Sequence, residues 1–330
     1  VRRWFALAAA VVLAGCASSA RANAPVSRST TTTFVPAPTT AAPTTTTTTT
    51  FGLVHSLARP YPPAPTTGPP NFIWGYGDPL FCGGPTPTEA QQAAQTNADD
   101  PPLANAAVLR GQRVLIVGDS SACSMFTGLA AVAKTNGFTA DQGVVFGCGI
   151  ASGEITTTRD EAITPHSSRC ASMVDWDVPT ALARAQPTLV IWMSIWEKSD
   201  LVVNGRTVVA GTPEWEAIIQ SRMDAALARL TYGGAKVVIA TEPAPAPANT
   251  APTFNVQNDN ASYARLNALL LRFAARHRND VLLVDLASLV CPSGPPCPAI
   301  VDGMQVRPDS RHYSPTAAVW AARWLLSQIP

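Results

Sequence analysis

Lysine is nearly missing from this chain: only three of its 23 basic residues are lysine, and the rest are arginine. Charge of either sign is sparse, at 14% of residues, and 23 Lys+Arg against 22 Asp+Glu leave a formal net charge of +1. That balance excludes the basic footprint of a nucleic-acid binder, so no nucleic-acid partner is expected. Histidine is scarce, with four in 330 residues, and the seven cysteines contain no Cys-x-x-Cys pair or Cys/His cluster. Neither a structural metal nor an organic cofactor is therefore implied. Past the N-terminus, no apolar run reaches the ~20 residues that a permanent membrane span needs.

What the chain does have begins at that N-terminus. Val1-Arg2-Arg3 precedes an apolar stretch over 4–12 and then Leu13-Ala14-Gly15-Cys16. A basic start, a short apolar region and small residues before a cut read as an export signal over 1–15. Leu-Ala-Gly-Cys resembles the bacterial lipobox, which implies a lipid anchor on Cys16 and a place on the outer face of the bacterial cytoplasmic membrane or cell wall. From 16 to 70 the chain is mostly Thr, Pro, Ala and Ser, including an unbroken threonine run over 44–50. Such a segment has too little apolar surface to offset its ordering entropy, so a disordered tether is expected. An arm over 71–112 then leads into one domain over 113–330.

With Cys16 set aside, six cysteines remain, an even number in a chain expected to be exported. Disulfides are the natural reading. Cys291 and Cys297 enclose a loop of Pro, Ser and Gly and form the first candidate pair. Cys148 with Cys170, and Cys82 with Cys123, are the further candidates among fifteen combinations.

Near-continuous apolar runs at 113–117, 143–146, 188–194, 235–241 and 281–285 have the character of buried parallel strands. Helical patterns fall between them at 122–136, 178–185, 213–230 and 261–276, with a last one at 315–327. Alternation of this kind predicts βαβ units, hence an α/β fold: a three-layer α/β/α sandwich on a parallel sheet. Its sites should lie beyond the carboxyl ends of the strands.

Two short segments stand at such ends. Gly118-Asp119-Ser120 follows the first strand, and Asp309-Ser310-Arg311-His312 precedes the last helix. A serine where a strand meets a helix N-terminus exposes its hydroxyl beside free backbone N–H groups that can stabilise an oxyanion. Serine needs a base, histidine is the usual one, and an aspartate three residues earlier can orient the imidazole. Ser120, His312 and Asp309 are thus the candidate nucleophile, base and orienting acid.

These segments resemble the SGNH (GDSL-type) hydrolase family, over 113–330. The resemblance implies a flavodoxin-like sheet and a Ser-His-Asp mechanism on acyl esters. It implies that Asp119 braces the nucleophile loop, and that a glycine after the second strand, Gly147 or else Gly149, joins Ser120 in the oxyanion hole. After the third strand, family members usually carry Gly-x-Asn-Asp, whose asparagine donates a third hydrogen bond. This chain has Ile195-Trp196-Glu197-Lys198 instead. That departure looks like the variant SGNH domains attached to envelope acyltransferases, and it predicts slow turnover on simple esters. Trp196 and Glu197 are read as lining the substrate pocket, Trp196 as a wall and Glu197 as a supporting or substrate contact. Arg307 is read as a salt-bridge partner that fixes its loop or as a contact to a substrate anion.

The leading expectation is an envelope-anchored serine esterase or acyl-transfer enzyme, with O-acyl groups on envelope polysaccharide as substrate. The alternative is a non-catalytic, glycan-binding lipoprotein of the same fold. A nucleotide-binding domain is a poor third, because Gly118-Asp119-Ser120-Ser121 lacks the glycine spacing of a phosphate loop.

Overall fold

The computed structural model describes residues 51–67, 100–151, 153–156, 169–246 and 260–330. The expected export signal, Cys16 and Cys82 lie outside these residues. A short helix α1 (Ala106–Leu109) leads into strand β1 (Arg113–Gly118), helix α2 (Ser120–Asn136) and strand β2 (Thr139–Val144). Then come α3 (Cys170–Ala185), β3 (Leu189–Met193), a single 3-10 turn (Trp196–Lys198) and a small hairpin of β4 (Leu201–Val203) and β5 (Arg206–Val208). Helix α4 (Pro213–Leu230), β6 (Lys236–Ala240), α5 (Asn260–Arg276), β7 (Val281–Val284) and α6 (Leu286–Val290) follow. A hairpin of β8 (Ile300–Val301) and β9 (Met304–Gln305) and the helix α7 (Pro315–Ser327) end the chain.

The central sheet has the order β2-β1-β3-β6-β7, and all four of its pairings are parallel. Numbered along the chain, that is the flavodoxin-like order, with a topological switch between β1 and β3. Residues alternate between two cores along each strand. Leu115, Val117, Val190 and Trp192 face a layer built by α3, α4 and α5, whereas Val114, Ile116, Leu189 and Ile191 face α2 and α7. Burial on both faces explains why the strands read as continuous apolar runs. Helices α2 and α7 approach closely at Gly128, where an added Cβ would lie 2.0 Å from the Ala318 carbonyl oxygen. Thr212 and Ser314 cap α4 and α7 from sequence positions directly before Pro213 and Pro315.

Three expectations are corrected. The second strand runs over 139–144 and not 143–146, because β2 is an edge strand whose first four residues, Thr-Ala-Asp-Gln, are exposed or half-buried and carry little apolar signal. Helix α3 starts at Cys170 and not at 178: Pro179 sits inside it, and Met173, Val174 and Val178 continue one buried stripe. The tether ends well before residue 70. Phe51 and Tyr61 are buried in opposite cores. Ala58 N–H donates to the Gly233 carbonyl at 2.9 Å, and Tyr61 N–H donates to Gln186 Oε1 at 2.9 Å. Residues 51–61 therefore cross beneath the N-terminal edge of the sheet, and two aromatic anchors offset the entropy that the polar composition suggested would win.

Two expected disulfides are present, Cys148–Cys170 with Cα atoms 5.4 Å apart and Cys291–Cys297 at 4.8 Å. Cys123 is also disulfide-bonded. No described helix is long and apolar enough to cross a membrane.

Candidate active site

Gly118 ends β1 with φ 151°, and an added Cβ there would stand 1.5 Å from the Met193 carbonyl oxygen, so only glycine fits. The tight passage lets the chain turn straight from β1 into α2. Asp119 is the N-cap, with Oδ1 accepting from Ser121 N–H at 2.8 Å. Its other oxygen accepts from Ile195 N–H at 2.7 Å and from Ser194 Oγ at 3.3 Å, which ties the end of β1 to the end of β3. Asp119 is 0% exposed, and burial raises its carboxyl pKa against the pull of those hydrogen bonds. It braces the loop, as the family resemblance implied.

Ser120 is thereby the first residue of α2. Its N–H belongs to the helix turn that has no intrahelical acceptor, and it sits at the positive end of the helix dipole. From the other end of the chain, His312 Nε2 lies 2.8 Å from Ser120 Oγ. His312 Nδ1 is paired with Asp309 Oδ2. Asp309 Oδ1 accepts from His312 N–H at 2.8 Å and from Arg311 N–H at 3.0 Å, so one carboxylate shapes the loop and holds the ring together. Ser310 turns that loop with φ 74°. Burial pushes the Asp309 carboxyl up, but the side-chain and backbone hydrogen bonds from His312, with Arg311 N–H, outweigh it and hold the group well below the usual carboxylate range. The His312 and Asp309 side chains keep 38% and 47% of their surface exposed.

The two candidate oxyanion glycines occupy different environments. Gly147 is half-buried with φ 68°. Gly149 is buried against the Glu197 carboxyl, whose Cδ would be 2.7 Å from an added Cβ.

Of the two roles expected for Glu197, support or substrate contact, its surroundings favour support. It is 0% exposed and accepts from Ala151 N–H at 3.2 Å, so it supports the loop after β2. Burial, first of all, raises its pKa, and Asp119 adds to the rise. Trp196 is 7% exposed, and its Nε1 is buried with no hydrogen-bond partner among the described residues. Arg307 makes no ion pair among the described residues; it is 2% exposed and donates from Nη1 to the Pro243 carbonyl at 3.1 Å.

Sequence reasoning missed Lys198 and Glu242. Both are buried at the carboxyl ends of strands, Lys198 at 0% and Glu242 at 3% exposure. Burial lowers the Lys198 ammonium to about 8, helped by Arg311, and raises Glu242 well above the usual range. A signal existed: charged residues directly behind apolar strands, one of them among only three lysines. The remaining described histidines lie elsewhere, His55 beside Gln112 and His277 paired with Asp224, and His166 is outside the described residues. No group of metal-binding side chains occurs among the described residues.

The sequence model of the family described as "SGNH domain (fused to AT3 domains)" matches residues 88–326. No curated protein matches the chain. Solved structures similar to it include the periplasmic domain of a lipopolysaccharide acetyltransferase from Salmonella ser. Paratyphi A. It is 12% identical, with 67% of this chain and 84% of that one covered and a TM-score of 0.44. An acetyl xylan esterase, AlAXEase, is 15% identical, with coverage of 66% and 100% and a TM-score of 0.39. A GDSL-like lipase from Bacteroides thetaiotaomicron is 14% identical, with coverage of 72% and 95% and a TM-score of 0.37.

Proposed function

We propose that this chain, which belongs to the SGNH domain family, acts on O-acyl esters through Ser120, His312 and Asp309. It is an ester hydrolase or acyltransferase of the SGNH type. The observation that carries the assignment of residues is the 2.8 Å approach of His312 Nε2 to Ser120 Oγ, with Nδ1 held by Asp309. Ser120 Oγ attacks the ester carbonyl while Nε2 takes its proton, and the carbonyl oxygen becomes an oxyanion. The N–H of Ser120, with that of Gly147, stabilises it. Collapse expels the alcohol, which takes the proton back from Nε2, and leaves an acyl-serine. Water, or a sugar hydroxyl where water is excluded, then attacks the acyl-serine by the same route in reverse. Asp309 stays ionised throughout and orients the ring, consistent with its lowered pKa.

The finer reading is an exported protein, lipid-anchored through Cys16, that acts on acyl groups of envelope polysaccharide. Support for export comes from two disulfides in the described residues, which persist in oxidising compartments. A Cys16→Ala protein should leave the membrane fraction; one that stays membrane-bound after processing would remove the anchor from the reading.

The test of the chemistry is covalent labelling of Ser120 by an active-site-directed phosphonate, alongside turnover of a panel of acyl esters. Labelling and turnover that both vanish in Ser120→Ala support it. A wild-type protein that binds glycan but neither labels nor turns over would instead be the non-catalytic binding lipoprotein.

A further inference from the structure

The 2.8 Å approach of His312 Nε2 to Ser120 Oγ joins two segments that the sheet by itself does not bring into register. Ser120 opens α2, and His312 lies in the loop between β9 and α7. That loop is closed at its base by Ser314 N–H, which donates to the Val306 carbonyl at 3.0 Å. Further along, Ala246 N–H donates to the Ser310 carbonyl at 3.1 Å, and Arg307 donates to the Pro243 carbonyl at the same distance. These bonds tie the loop to itself and to the segment after β6. None of the three reaches the helix that carries the nucleophile.

One side chain does reach across. Ser124 stands one helical turn after Ser120 on α2 and is half-buried. Its Oγ accepts from Tyr313 N–H at 3.2 Å and donates to the Ser121 carbonyl at 2.8 Å. The partners leave no choice of roles, because a backbone N–H can only donate and a carbonyl can only accept. Tyr313 directly follows His312, and Ser121 directly follows Ser120. A single hydroxyl thus links the residue after the nucleophile to the residue after the base. Tyr313 is 7% exposed, so removal of that hydroxyl leaves its N–H poorly placed to bond water instead. Helix stability does not account for a serine here, since alanine is the better helix former and Ala122 already stands in the same turn.

We propose that Ser124 is a positioning residue: its hydroxyl sets the register of the His312 backbone against the first turn of α2, and with it the distance from His312 Nε2 to Ser120 Oγ. The packing of α2 on α7 brings the two segments together, and Ser124 fixes their final alignment. Chemistry at such a pair is sensitive on this scale, since a misplacement of about 1 Å can cost on the order of a hundredfold in rate. Ser124 acts through His312 and makes no contact with the reacting atoms itself. The inference rests on the acyl-ester reading above and adds to it a residue that holds the base in place.

The experiment measures hydrolysis of p-nitrophenyl acetate by the full chain as wild type, Ser124→Ala, Ser124→Thr and Thr135→Ala. Thr135 is the control: its Oγ1 donates to the Val132 carbonyl at 3.2 Å, a bond of the same kind at the far end of the same helix. Ser124→Ala is expected to lower kcat by about fivefold or more with KM little changed. Ser124→Thr, which keeps the hydroxyl, should regain most of the loss, and Thr135→Ala should match wild type. A smaller fall in kcat, or a loss carried by KM alone, would overturn the proposal. So would a Ser124→Thr protein no faster than Ser124→Ala, or an equal loss in Thr135→Ala, which would make the effect one of helix stability. Histidine NMR of the same proteins separates this inference from the catalytic reading. The His312 ring signal, identified by its loss in His312→Ala, should shift in Ser124→Ala while that of His277 stays. Such a shift supports the positioning role even if the wild type turns over no ester, and an unmoved His312 signal sinks it.

Discussion

His312 Nε2 and Ser120 Oγ stand 2.8 Å apart although 192 residues separate them in the chain. Neither residue is placed by its neighbours in sequence alone. Ser120 is held by the Gly118 passage and the Asp119 cap, and His312 by the hydrogen bonds that fold the 309–312 loop around Asp309. The contact between them is made by α2 and α7 packing on one face of the sheet.

If these residues work as one unit, Ser120→Ala and His312→Ala should each lower kcat about a thousandfold or more, and the double variant should lose little beyond either. Asp309→Asn should lose no more than these, since it mis-sets the ring without removing the base. Steady-state kinetics on one acyl ester suffice. Additive losses in the double variant would mean that the two side chains act independently.

Gly118→Ala should abolish both activity and stable folding. The new methyl would meet the Met193 carbonyl at 1.5 Å, and both strands there are central and buried. A loss above about 3 kcal/mol of unfolding free energy is expected, in the range of core overpacking and backbone strain together. A well-folded Gly118→Ala protein with normal turnover would show that the β1–α2 turn has freedom this geometry denies.

Asp177 predicts a pH effect on stability. Burial raises it from 3.8 to about 7 despite Arg184, and its Oδ2 is buried with no partner among the described residues. The folded state therefore binds more protons than the unfolded state between those values, and this group's contribution to stability falls as pH rises through the window. Asp177→Asn should remove the fall and stabilise the protein at pH 8 by on the order of a few kcal/mol. Urea unfolding at pH 5 and pH 8 reads it directly. Parallel curves for wild type and variant would refute the assignment.

The Cys148–Cys170 bridge spans 22 residues of sequence and Cys291–Cys297 only 6. Loop-closure entropy gives about 3 kcal/mol for the first and about 2 kcal/mol for the second. Replacing each pair by serines should lower the unfolding free energy in that order. The first should also loosen the Gly147 loop and reduce kcat, because Cys148 directly follows that glycine. Equal activity of both double-serine proteins would detach Gly147 from the oxyanion role.

Tyr61 tests the strap beneath the sheet. Its ring is 4% exposed, and its hydroxyl donates to the Leu230 carbonyl. Tyr61→Ala should cost about 3–5 kcal/mol, the range for a buried aromatic ring. It should leave turnover at permissive temperature intact, because the strap lies at the edge of the sheet opposite the triad. A Tyr61→Ala protein as stable as wild type would return 51–61 to the tether.

Much of this was legible in the chain itself, for reasons of period and local chemistry. Continuous apolar runs at β1, β3, β6 and β7 report burial on both faces, and Thr212-Pro213 and Ser314-Pro315 mark helix starts to the residue. Gly118-Asp119-Ser120 and Asp309–His312 carry their chemistry in their spacing. Other features depend on what lies across the fold, which no local pattern encodes. The polar edge strand β2 exists because β1 offers it a partner, and a Thr/Pro-rich segment is ordered because Phe51 and Tyr61 find two separate cores. Glu197 reads in sequence as a supporting or substrate contact, and its burial against Gly149 favours support. The surroundings of Lys198, two residues beyond Trp196, include Tyr263 and Arg311, which arrive from distant parts of the chain. Side-chain burial and the electrostatics that follow from it are properties of the assembled sandwich, because they depend on which distant atoms replace water around each group.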